Sequence, residues 1–111
     1  MIAPTETEAE ALRYDPFDQE EGRRNLRDEI VVTRRPHVCV ICEEPIVAGA
    51  RARATTDLQV GGASRLVRTF WHCPTCVAAE AATWTDAGRS FTERLRTQFR
   101  RAGAIFPEEA P

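Results

Sequence analysis

Four cysteines carry the most specific chemistry in this 111-residue chain. They form two pairs, Cys39-x2-Cys42 and Cys73-x2-Cys76, with thirty residues between the pairs. Two residues between cysteines let both sulfurs of a pair face one centre. Two such pairs make the tetrahedral four-thiolate set that zinc prefers. The expected cofactor is therefore one structural Zn²⁺ held by Cys39, Cys42, Cys73 and Cys76. A catalytic zinc keeps an open coordination position, and four cysteines leave none. No Ser/His/Asp set, phosphate-binding glycine loop or pair of acids on one periodic face accompanies the cysteines, so the sequence points away from an enzyme.

The surroundings of the cysteines fit this reading. Pro36 precedes the first pair, which belongs in an irregular knuckle. Pro74 sits where the first residue of a helix would, and Val77 to Thr83 is rich in alanine, so the second pair lies at a helix start. Backbone N–H groups and the helix dipole there favour thiolate charge. Between the pairs, residues 50–58 alternate small residues with Arg51, Arg53 and Thr55, and Ser64 to Trp71 has a strand pattern with Val67, Thr69 and Trp71 on one face. Gly61-Gly62 marks the turn of a β-hairpin. Knuckle, hairpin and helix in that order make a treble clef. The expected fold is a small zinc-stabilised α+β domain of that kind, followed by a C-terminal amphipathic helix. Ser90 and Glu93 read as a capping box opening that helix, with Phe91, Leu95, Phe99 and Ala102 on one face and Gly103 at its end.

Cys39-x2-Cys42-x2-Pro45-Ile46-x2-Gly49-x-Arg51, with Trp71-x-Cys73-x2-Cys76, resembles the zinc finger of poly(ADP-ribose) polymerases over roughly residues 39–80. The resemblance implies a treble clef and binding to DNA ends and nicks. Cys73 stands where that family has histidine. Other readings of the cysteines are a thioredoxin-like Trp-Cys-x-x-Cys site at residues 71–76, a rubredoxin-like iron site and a zinc-stabilised HNH nuclease. The first lacks a surrounding βαβ pattern, the second lacks a glycine after each pair, and the third lacks catalytic histidines. His37 and His72 are the two histidines. Either could replace a cysteine ligand; packing or hydrogen bonding around the site is the plainer role for both.

Charge is unevenly laid out. Residues 1–30 hold nine acids and four arginines, residues 31–103 hold eleven arginines and six acids, and the last eight residues hold two acids. All the basic residues are arginine, which fits a GC-rich bacterial or phage genome. Residues 1–29 are expected to be an acidic and largely disordered segment, with a short helix broken by Gly22 within it; residues 30–103 the zinc domain; and residues 104–111 an acidic tail. Tyr14 and Phe17 flank a proline and read as packing on the domain or as a docking peptide. No stretch has the roughly 20 apolar residues of a membrane helix, and the N-terminus lacks a secretory h-region, so a cytoplasmic setting without membrane contact is expected.

Two partner classes follow. Nucleic acid, DNA before RNA, would meet Arg34 and Arg35 before the knuckle, Arg51, Arg53, Arg65 and Arg68 on the hairpin, and Arg96 and Arg100 on the last helix. The alternative is a protein-interaction module or a small regulator of a host complex, with a homodimer through the C-terminal helix as one form. In a chain without lysine, such arginines can equally be the solvated face.

Overall fold

The computed structural model describes residues 2–18 and 20–101, apart from the side chain of Arg101. Thr5 caps the first helix, α1 (Glu6–Leu12), in a complete capping box: Glu8 N–H donates to Thr5 Oγ1 at 3.1 Å and Thr5 N–H donates to Glu8 Oε1 at 2.8 Å. Strand β1 (Arg23–Val32) follows, then the two-residue strands β2 (His37–Val38) and β3 (Pro45–Ile46). Next come the long strands β4 (Arg51–Gly61) and β5 (Ser64–His72), helix α2 (Pro74–Asp86) and helix α3 (Arg89–Arg101). Strands β1, β4 and β5 form an antiparallel sheet in the order β1-β4-β5, and β2 pairs with β3 across the knuckle. No described helix is long and apolar enough to cross a membrane.

The hairpin stands where its periodicity puts it, and α2 begins as expected with Cys73 as N-cap and Pro74 in the first turn. The N-terminal expectation is corrected. Residues 6–12 are helical, and the supposed helix over 18–29 is instead largely strand β1, which already begins at Arg23 and contains a bulge between Asn25 and Arg27. The boundary at residue 30 therefore falls inside a strand. Gly22 does not break a helix; at φ +72° it brings the chain into β1, with Val60 N–H donating to its carbonyl at 2.8 Å. A Cβ at this position would stand 2.3 Å from Val60 O, so only glycine fits. Tyr14 packs edge-on against Phe91 and Trp84, and Phe17 against Phe70 and His72, so this pair belongs to the domain.

Helix α3 is capped by Asp86, not by Ser90. The Asp86 carboxylate accepts from the N–H groups of Gly88, Arg89 and Ser90 and from Ser90 Oγ. The N-cap position falls earlier because Ala87 and Gly88 both take left-handed conformations and turn the chain sharply between the helices. Phe91 is buried, and Leu95 packs on the same cluster. Through Phe91 and Leu95 this apolar face packs on the chain's own core. Ala102, Gly103 and the tail lie outside the described residues.

Register gives the sheet two unlike faces. Ile30, Arg53 and His72 point toward the helices, while Glu29, Ala54 and Trp71 point the other way. The helix side contains one small apolar cluster of Ala11, Ile30 and Val77, with Ile2, Leu12 and Ala81 against it. A second cluster joins the four cysteines to Ile41, Ile46, Ala52 and Phe91.

Candidate metal centre and the arginines around it

The β2–β3 knuckle carries the first cysteine pair. Cys39 N–H donates to Glu44 O, and Glu43 N–H donates to Cys39 O, both at 2.9 Å, with Glu43 in the left-handed region at φ +62°. The knuckle is moored to the end of β5 by Val40 N–H donating to Trp71 O at 2.8 Å. Cys73 and Cys76 lie on the first turn of α2, just past that point. All four sulfurs are buried, and all lie within 4.8 Å of one another.

These distances fit a zinc site. Zn–S bonds of about 2.3 Å in a tetrahedron imply sulfurs roughly 3.8 Å apart. Cys42 Sγ and Cys73 Sγ are 3.8 Å apart. Donors point at the sulfurs as they would at thiolates: Cys73 N–H reaches Cys39 Sγ at 3.3 Å and Cys76 N–H reaches Cys73 Sγ at 3.4 Å. Arg94 from α3 adds Nε to Cys76 Sγ at 3.3 Å and Nη2 to Cys42 Sγ at 3.2 Å, while Nη2 also meets Glu44 at 3.1 Å. Hydrogen bonding to Cys76 first, and then its charge, holds the Arg94 guanidinium firmly protonated despite burial. With only protons to share, the thiols are unequal. Hydrogen bonds from Cys39 and Cys76 hold Cys73 far below the usual thiol range; contact with Cys73 pushes Cys39 up to about 12; Cys39 and Cys73 push Cys76 higher still.

Neither histidine stands in for a cysteine. His72 lies under the sheet, with Nδ1 2.8 Å from Glu80 Oε2 and Nε2 3.4 Å from Thr55 Oγ1. His37 stacks on Trp71, ring centroids 3.9 Å apart and planes 15° from parallel.

The arginines singled out by sequence divide into two groups. Arg53 is 1 % exposed and donates to Asp28 through Nε at 2.8 Å and Nη2 at 2.7 Å, and to the carbonyls of Ala11 and Tyr14. Its Nη1 also lies 3.4 Å from Glu80 Oε1, an atom with no hydrogen-bond donor of its own. Arg53 is therefore removed from the nucleic-acid set: the alternation that looks like a solvated face is the face beneath the helices. Arg51 is held by Glu8, and Arg96 pairs with Glu93. Arg34, Arg35, Arg65, Arg68 and Arg100 are exposed. The sequence reading missed Arg23, which bridges Asp57 at 2.8 Å and Asp15 at 2.7 Å, and Arg94 as a donor to the sulfurs. Arg94 lies four residues after Ser90 on the predicted helix, a spacing that says nothing of what it reaches.

No protein-family model, curated protein or solved structure matches the chain.

Proposed function

We propose that the chain is a non-catalytic zinc module of the treble-clef type that binds nucleic acid, DNA before RNA. The order of knuckle, β4–β5 hairpin and α2 supports the treble clef, with one sulfur pair on the knuckle and the other on the first turn of the helix. A closed four-sulfur site with an arginine laid across it supports a structural ion over a reactive one. The observation that carries nucleic-acid binding is the adjacent pair Arg34 and Arg35, exposed beside the knuckle and without an ion pair among the described residues, whereas Arg23, Arg51 and Arg53 are neutralised by carboxylates. Exposed guanidinium groups next to a rigid element suit phosphate contacts.

The test is fluorescence anisotropy with labelled duplex DNA, nicked duplex, single-stranded DNA and RNA over a series of salt concentrations. Affinity falling steeply with salt is the expected result. Salt-independent or undetectable binding to all four would move the reading to its alternative, a protein-interaction module. That second reading draws on Leu66 and Val67, both exposed on the hairpin.

A further inference from the structure

The sheet face turned away from the helices is floored by small residues. Ala54 of β4 lies between Glu29 of β1 and Trp71 of β5, and the next rank is Arg27, Thr56 and Thr69. At the border of this face a cleft of about 680 Å³ follows the β1 edge to the knuckle, with Ile2 and Ile30 lining it from the helix side. Clefts that hold small organic groups span roughly 300–1,000 Å³. The half-buried Trp71–His37 stack forms one wall, the apolar Val31 lines another, and Arg27, Arg34 and Arg35 stand around it. The one carboxylate in the lining, Glu29, is already hydrogen-bonded by Arg27.

The geometry points to this cleft as a binding site for single-stranded nucleic acid, with one unpaired base extending the His37–Trp71 stack and flanking phosphates meeting Arg34 and Arg35. The inference rests on the nucleic-acid reading above and narrows it. A flat aromatic surface accepts any base through its π-face, whereas a base inside a duplex has both faces covered by its neighbours. Two unpaired guanidinium groups, Arg34 and Arg35, beside an aromatic wall also match a base joined to phosphate better than an apolar peptide, which would leave those charges unanswered.

The test uses the full zinc-loaded chain carrying Trp84→Phe, so that Trp71 is its sole tryptophan. The probes are a mixed-sequence single-stranded DNA 12-mer and the duplex of the same length. The expected results are single-strand binding at least tenfold tighter than duplex binding and quenching of Trp71 emission at saturation. Arg34→Gln with Arg35→Gln should weaken single-strand binding about tenfold or more and lower the slope of log affinity against log salt by about 1.4, two phosphates at ~0.7 each. Both arginines are exposed, so this variant keeps its fold, which zinc stoichiometry and circular dichroism check. Equal affinity for duplex and single strand overturns the inference but leaves nucleic-acid binding standing. So does single-strand binding that neither quenches Trp71 nor responds to the double substitution. No binding of either probe at low salt defeats the broader reading as well.

Discussion

Where β4 begins and β5 ends, the interior consists of four sulfurs with Ile41, Ile46 and Phe91 around them. One turn further along α2, from Cys76 to Glu80, the same sheet meets its helices through Arg53, His72, Glu80 and Asp28. The first region is a small apolar core organised by a cluster suited to an ion. The second mixes a small apolar cluster around Ile30 and Val77 with buried polar groups: among the largest fully buried residues are Arg53, His72, Glu80, Thr55 and Asp57. A chain of this size lacks the apolar volume to fill both regions. One end is built on a sulfur cluster suited to a metal ion, the other on paired charge, and the two differ in what can be removed without collapse. Metal ligation supplies folding energy directly. Buried ion pairs add little net stability over a well-packed apolar alternative, but losing one partner strands the other in a place water cannot reach. Arg53 also touches β1 and the carbonyls of Ala11 and Tyr14, so it ties the N-terminal segment to the sheet.

The comparison breaks most visibly at the sulfurs. Cys42→Ser or Cys76→Ser should unfold residues 37–85, because apparent zinc affinity of ~10–16 kcal/mol is folding energy in such sites; far-ultraviolet circular dichroism with and without chelator checks this. At the polar end, Arg53→Ala should cost about 3–5 kcal/mol in urea unfolding by removing the cation beside Asp28 and Glu80 Oε1, while zinc stoichiometry stays at one. If the cost were under about 1 kcal/mol, the polar layer would not be what joins sheet to helices.

A smaller effect is expected at the rim. The Arg51 hydrogen bond holds Glu8 down from its ordinary 4.5 to about 2. At Asp15, burial works against ionisation, yet the hydrogen bond from Arg23 keeps its carboxyl below the usual range. Both folded values lie below the unfolded ones. The stabilisation from Glu8 is therefore complete above about pH 4.5 and lost as pH falls toward 2, and that from Asp15 is likewise lost on acidification. Glu8→Gln should cost about 1 kcal/mol at pH 7, since Arg51 is partly solvent-screened, and should flatten stability between pH 4.5 and 2. Smallest is Ala87→Gly. Ala87 is a non-glycine residue at φ +57° on the α2 C-cap, and glycine there should raise stability by about 0.5–1 kcal/mol, a rise of a few degrees in thermal midpoint.

The same contrast governs how much could be read in advance. The metal centre was legible because cysteine spacing is itself the geometry of the site. The hairpin was legible from its period of two and from Gly61-Gly62, and α2 from Pro74 beside the second pair. The polar end was hidden because its buried positions carry charge. Asp28 on β1 and Arg53 on β4 break the apolar alternation that marks a half-buried strand, and a bulge between Asn25 and Arg27 shifts the period as well. Helix α1 did leave a signal, Thr5 followed three residues later by Glu8, but the acidic composition around it reads as disorder. Asp86 caps α3 through a left-handed pair, a geometry that the Ser90–Glu93 pattern imitates one turn too late.

X-ray absorption at the zinc edge, on protein purified without added metal and quantified for zinc, addresses the four-sulfur centre most directly. One zinc per chain with four sulfur neighbours at about 2.3 Å, and loss of folded structure on chelation, is the predicted result. A compact, metal-free chain carrying a reversible Cys73–Cys76 disulfide would contradict it.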